Sequence, residues 1–206
     1  MSVRIQRVSA IQKESLSMPE DKNLLQMNRE DLRSLEDAIS ACRLCPLSQS
    51  RTLAVPGAGP APARLMLVGE APGREEDLSG KPFVGRAGRL LDAALEQAGL
   101  DRSKIFITSV IKCRPPNNRK PLKKETACCL PYLEAQIKIV RPKVVCLLGN
   151  TAAAAVLGRQ GIQALRGRIW QERFAVTYHP AAVLRNKNLM ADFVSDLERL
   201  NSLQDK

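Results

Sequence analysis

Apolar side chains recur along this chain in two alternating rhythms. Four short runs are almost wholly apolar: residues 64–68 (RLMLV), 105–110 (IFITSV), 144–148 (VVCLL) and 174–178 (FAVTY). Runs of that length, bounded by turn residues, read as buried strands. Between them apolar residues return every three or four positions. Residues 88–98 carry Leu90, Leu91, Ala94 and Leu95 at helical spacing, and residues 125–140 carry Leu130, Leu133, Ile137 and Val140. An alanine-rich stretch at 151–157 predicts a short helix, and Leu189, Phe193, Leu197 and Leu200 predict another over 188–200. Ahead of the first strand, Asn28 is placed to cap a helix in which Leu32, Leu35 and Ile39 share one face. Residues 1–27 keep no sustained period, so a flexible leader is expected there and a single domain over 28–206. The Pro/Gly/Ala-rich stretch VPGAGPAPA, which follows the first helix, predicts irregular structure. Strand alternating with helix predicts an α/β sandwich around a parallel sheet.

Open parallel sheets bind ligands beyond the carboxyl ends of their strands, so those ends carry the chemical interest. The first leads into Gly69-Glu70-Ala71-Pro72-Gly73, the second into Ser109 and then Lys112-Cys113-Arg114-Pro115-Pro116, the third into Gly149-Asn150, and the fourth into His179-Pro180. The chain's only histidine is thus expected on the functional edge. GEAPG is a tight turn able to bring backbone N–H groups near a ligand. It lacks the G-x-G-x-x-G order of dinucleotide sites and the G-K-[ST] of a phosphate loop. Four acids lie in or just after it, Glu70, Glu75, Glu76 and Asp77. They read either as a solvated charged loop or as a source of a carboxylate near a reacting centre. In the loop GKPFVGRAG, Phe83 is one of only seven aromatics, and its ring could stack on a base or anchor the loop in the core.

Composition narrows the function class. With 206 residues, 44% hydrophobic and 26% charged, the chain suits a globular domain. No apolar run approaches the roughly 20 residues that span a bilayer, and the N-terminal segment shows no apolar block of the secretory kind. A cytoplasmic protein with no membrane partner is expected. The net charge of +11 is uneven: residues 1–41 hold six basic and seven acidic side chains, whereas residues 112–143 hold nine basic and two acidic. Clustered positive charge on a folded domain points to a polyanion, nucleic acid first. Six cysteines without a secretory context argue against a disulfide framework. Cys42 and Cys45 form a C-x-x-C chelate pair, and Cys113 with Cys128 or Cys129 could complete four thiolate ligands. Cys146, inside VVCLLG, reads as a small buried hydrophobe. Four thiolates suit zinc as well as an iron–sulfur cluster.

Together these segments, GEAPG…ED…GKPFVGRAG…ITSVIKCRPP…NRKP…LGN…HP with C-x-x-C just ahead, resemble the family 4, iron–sulfur uracil-DNA glycosylases over residues 41–200. The resemblance implies a three-layer α/β/α fold with a central four-stranded parallel sheet, a 4Fe-4S cluster, and excision of uracil from DNA. Carried over by position, the cluster ligands are Cys42, Cys45, Cys113 and Cys129. Glu70, Ala71 and Phe83 line the uracil pocket, His179 donates to the base, and Glu76 serves the water or the oxocarbenium ion. Two positions depart from the family pattern: Ser109 stands where an asparagine usually reads the uracil edge, and Ala181 where a serine usually follows His-Pro.

A glycosylase must extrude its target nucleotide from the duplex. Lys112, Arg114, Arg119 and Lys120 are the expected phosphate contacts. The segment after His179-Pro180, with Val183, Leu184 and Arg185, is the expected wedge into the vacated stack. No lysine is placed as a Schiff-base nucleophile, so the expectation is a monofunctional, monomeric, nucleoid-associated enzyme. The alternatives are a glycosylase whose base specificity has broadened through Ser109, a non-catalytic iron–sulfur DNA-binding relative, or an electron carrier.

Overall fold

The computed structural model of the chain describes residues 22–204, with side chains described from Glu30 to Leu203. Its sheet comprises β1 (Leu65–Gly69), β2 (Ile105–Ser109), β3 (Val144–Leu148), β4 (Ile169–Trp170) and β5 (Phe174–Thr177), in the spatial order β2-β1-β3-β5-β4. The four predicted strands are mutually parallel, and β4 pairs antiparallel with β5 at the edge. The sheet is therefore five-stranded rather than four-stranded. A two-residue edge strand with Ile169 exposed is too short to leave a periodic signal.

The helical segments are α1 (Lys22–Ala41), α2 (Leu47–Ser50), α3 (Arg74–Ser79), α4 (Arg86–Gln97), α5 (Lys123–Val140), α6 (Asn150–Leu157), α7 (Ile162–Leu165), α8 (Pro180–Arg185) and α9 (Met190–Gln204). Strand side chains alternate between two cores. Met66, Val68 and Phe106 meet Leu32 of α1 and Leu133, Ile137 and Val140 of α5. On the opposite face Leu65, Leu67 and Ile107 meet Leu91 and Leu95 of α4 and Phe193, Leu197 and Leu200 of α9. Helices on both faces leave every position of β1, β2, β3 and β5 buried, which explains their unbroken apolar sequences.

Helix α1 begins at Lys22, six residues before the expected cap at Asn28. The sequence permits this, because Leu25 precedes Leu32 by two helical turns. Residues 1–21 of the expected leader lie outside the described residues. Two segments read as loops are short helices. The three acids Glu75, Glu76 and Asp77 form the first turn of α3, where the helix dipole favours them. The expected wedge loop after His179 is α8, with Pro180 at its first position.

Candidate active site

Beyond the carboxyl ends of the strands lies a cavity of about 1350 Å³. Glu70, Ala71, Glu76, Phe83, Ser109, Arg119, Lys120, His179, Leu184 and Arg185 all line it, although 115 residues separate the first from the last. Lys112, Arg114 and the cysteines do not line it.

Phe83 sits in a left-handed backbone conformation, φ 52°, with its side chain buried. Gly88, in the first turn of α4, makes that possible: a methyl group there would fall 1.9 Å from the Phe83 carbonyl oxygen. Arg102, itself paired with Asp92, donates to the carbonyls of Pro82 and Phe83. The ring lies over Gly69 at the end of β1: a methyl group on Gly69 would fall 2.7 Å from the Phe83 ring and 3.2 Å from the Ser109 hydroxyl. Gly69 and Ser109 are register partners across β1 and β2.

His179 follows β5 and caps α8. Its Nδ1 accepts the Ala181 N–H at 3.1 Å. An imidazole that accepts at Nδ1 carries its proton at Nε2 when neutral. Burial, reinforced by Arg185 and opposed by Glu76, pushes its pKa down to about 4. The ring is therefore a neutral Nε2–H donor at ordinary pH. Its centroid is 5.9 Å from that of Phe83, with the planes tilted by 35°. Gly149, after β3, allows this placement, since a methyl group there would come within 2.9 Å of the His179 Cβ.

The acids divide into distinct roles. Asp77 is buried and accepts the Thr52 N–H, so it holds the loop and faces no ligand. Glu76 accepts from Gly73 N–H through Oε2, and from Val84 N–H and Gly85 N–H through Oε1, at 2.8–3.1 Å. A carboxylate has about four lone-pair sites, and three are thus engaged. Glu76 clamps the GEAPG turn to the Phe83 loop while keeping a negative charge at the cavity wall. Among the described residues, no hydrogen bond engages the Glu70 carboxylate, which also lines the cavity.

The cations require one correction. Lys112 is not a surface contact: it is 1% exposed, and its Nζ donates at 2.7 Å to Thr108 Oγ1, Ser109 O and Gln136 Oε1. It follows directly on a strand end and folds back beneath it, out of reach of any phosphate. Val183 is likewise buried in the core, so of the three residues expected in the wedge only Leu184 and Arg185 line the cavity. Arg119 lines the cavity, but it is held by both oxygens of buried Glu125. Arg114 is tied to Asn118. Lys120 and Arg185 are exposed at the cavity. Arg74, Arg86 and Arg89, at the starts of α3 and α4, also line it. Sequence reasoning passed over these three. Their signal was their place in the Gly-rich loops after a strand end.

Away from this cavity, Cys42, Cys45, Cys113, Cys128 and Cys129 surround a small hollow with Arg51, Lys112 and Tyr132. Arg51 Nη1 donates to Cys113 Sγ at 2.9 Å, and the Lys112 backbone N–H to Cys129 Sγ at 3.3 Å. Donors of this kind stabilise thiolate ligands. Burial pushes the Cys129 thiol up to about 11 against the pull of Lys112, and raises Cys113 against the pull of Arg51. Such thiols do not ionise readily alone, and a bound metal would compensate the charge. The donor set therefore fits a thiolate-ligated group. Among the described residues, no group of three or more His, Cys, Asp or Glu is arranged to hold a single metal ion. A second cavity, of about 260 Å³ beside β5 and α9, contains none of the predicted residues. Its buried carboxylate, Asp196, is already engaged by Thr177 and Arg166.

Residues 56–200 match the family described as the uracil DNA glycosylase superfamily. The type-4 uracil-DNA glycosylase of Pyrobaculum aerophilum is 46% identical over 179 residues, covering 81% of this chain and 91% of that protein. Those of Sulfurisphaera tokodaii and Archaeoglobus fulgidus are each 41% identical, covering 84% of this chain and 85% and 94% of their own.

Proposed function

The chain belongs to the uracil-DNA glycosylase superfamily and to its type-4 branch, and from that premise we propose that it excises uracil from DNA by hydrolysing the N-glycosidic bond. The observation that carries the reading is the pairing of a neutral His179 donor with the Phe83 ring at the wall of one cavity, 5.9 Å apart. The extruded base stacks on Phe83, over the floor formed by Ser109 and the Gly69–Ala71 turn. As the bond from C1′ to N1 breaks, its electron pair passes to the uracil ring. The Nε2–H of His179 stabilises the developing oxyanion on the base, and the clamped Glu76 carboxylate stabilises the positive sugar. Water adds at C1′, the proton it releases neutralises the uracil anion, and an abasic site remains. Glu70, whose carboxylate has no hydrogen-bond partner among the described residues, is the carboxylate able to orient that water. Leu184 fills the vacated stack, while Lys120, Arg185 and the three arginines of α3 and α4 hold phosphates.

The four thiols Cys42, Cys45, Cys113 and Cys129 would hold a 4Fe-4S cluster. Thiolate ligation alone would suit zinc as well; membership of the type-4 branch is what supports the iron–sulfur group. When bound, the group would tie the segment entering the domain to the loop after β2 and to α5. Every residue in this scheme comes from one chain, so a monomer suffices, working at the nucleoid where its substrate lies. Among the described residues, no helix is long and apolar enough to cross a membrane.

The test is single-turnover release of uracil from a uracil-containing oligonucleotide. The wild type is expected to release it without cutting the strand. His179→Ala is expected to lower the rate by about 10²–10³, the usual loss for one transition-state donor. An inactive wild type, or a His179→Ala protein at the wild-type rate, would overturn the reading.

A further inference from the structure

Strand β2 lies at the edge of the sheet, so one side of its backbone lacks a strand partner. At that open side Ile107 exchanges both backbone hydrogen bonds with Ala58. Ser109, two residues on, faces the same way, and its carbonyl accepts instead from Lys112 Nζ at 2.7 Å. Lysine Nζ carries three donors, and each finds an acceptor at 2.7 Å: Thr108 Oγ1, Ser109 O and Gln136 Oε1. The network closes on one further carbonyl, since Thr108 Oγ1 and Gln136 Nε2 both donate to Pro56 O at 2.7 Å. The backbone of the same lysine is anchored too. Its N–H donates to Cys129 Sγ, and its carbonyl accepts from Val55 N–H at 2.8 Å.

We propose that Lys112 is a positioning residue for the uracil pocket. It fixes the carboxyl end of β2, and with it the Ser109 hydroxyl, and ties that end to the cysteine site. This inference rests on the reading of the cavity as a uracil pocket. Lys112 touches neither base nor phosphate and acts through Ser109, which lines the cavity and whose hydroxyl, like the Phe83 ring, borders Gly69. An apolar residue of the same length would fill the space but leave the Ser109 carbonyl without its side-chain donor, and Gln136 Oε1 with only Thr108 Oγ1 at 3.1 Å. Arginine would bring a planar fork that cannot meet three convergent acceptors in the same way. The lysine's value to the reaction is thus geometric: the floor of the pocket is set by a side chain buried behind it.

The experiment is a double-mutant cycle on single-turnover uracil release, using Lys112→Met, Ser109→Ala and the double variant, each checked for iron content and melting temperature. Lys112→Met and Ser109→Ala are each expected to slow release by about tenfold, the scale of one lost buried hydrogen-bonding group. The double variant is expected to fall no further than the slower single, within about twofold. Affinity for an abasic-site duplex is expected to stay unchanged in Lys112→Met. Thr108→Val, which removes one acceptor and spares the lysine, is expected to lose about threefold, again only when Ser109 is present. It decides the matter if Lys112→Met does not fold. Multiplying losses in the double variants, a silent Ser109→Ala beside a slow Lys112→Met, or weakened duplex binding in Lys112→Met would each overturn the proposal. A wild type that releases no uracil would overturn the pocket reading itself, whereas an active wild type with multiplying losses overturns only the role of Lys112.

Discussion

The Nδ1 of His179 is occupied by the N–H of Ala181, which leaves Nε2–H as the one edge of the imidazole able to serve the cavity. Burial then fixes its charge as well as its tautomer, holding the pKa near 4. Because the chain has a single histidine, one imidazole signal reports the site in proton NMR, and its midpoint is expected near 4. A midpoint near the ordinary 6.5 would show that the ring is solvated or charged in the folded state. The sign for stability follows from linkage: below about 6.5 the unfolded chain takes up a proton that the folded ring refuses. The contribution is therefore complete above that pH and is lost as pH falls toward about 4. Ser109 raises a separate question at the same scale. A hydroxyl is shorter than an amide and has one proton, so it cannot serve both the N3–H and the O4 of uracil with the same reach. Ser109→Asn is expected to speed uracil release and to suppress any activity on hypoxanthine, xanthine, or thymine opposite guanine. A substrate panel in which every rate stays within about twofold, well under the tenfold of 1.4 kcal/mol, would show that Ser109 does not read the base.

At the scale of elements, the turn between α1 and α2, the loop after β2 and helix α5 carry the cysteines into one place, and Arg51 closes the arrangement. Its guanidinium donates to Cys113 Sγ and to the carbonyls of Ser40 and Cys42. Cys113→Ser is expected to lose iron and lower the melting temperature, whereas Cys128→Ser is expected to do neither. Elemental analysis of anaerobically purified protein checks this, and zinc in place of iron would overturn the cluster. The four parallel strands were legible because helices bury both their faces, which makes the apolar runs continuous. The C-x-x-C spacing was legible because a chelate constrains residues close in sequence. Helices α3 and α8 were not legible. Each has six residues, too few to show a period. The three-way grip of Glu76 was hidden because two of its donors lie eight and nine residues away in another loop. Sequence marked Glu76 as a carboxylate near the reaction, but it could not show that the same carboxylate builds the wall.

For the whole molecule, the question is how a net charge of +11 becomes a DNA-binding face. A count along the chain treats Lys112, Arg119 and Lys120 alike, yet the fold gives them three fates. Lys112 is enclosed by neutral acceptors, Arg119 is matched to Glu125 through two hydrogen bonds, and Lys120 stands exposed at the cavity. Arg185, next to Leu184 on α8, stands exposed at the same cavity. Each phosphate that a cation neutralises releases counterions and adds about 0.9 to the slope of log affinity against log salt. Lys120→Ala and Arg185→Ala are each expected to flatten that slope by about 0.9 on a uracil-free duplex. Arg119→Ala is expected to change it less, because Glu125 already balances the charge. Lys112→Met is expected to leave it unchanged. The measurement is duplex affinity by fluorescence anisotropy across a salt series. Equal slopes for wild type and the Lys120 and Arg185 variants would mean that the positive charge only solubilises the protein. A flatter slope for Lys112→Met would mean that the lysine reaches the duplex after all. The cation that dominates a linear reading of this segment would then differ from its neighbours in place but not in role, and the pocket floor would need another support.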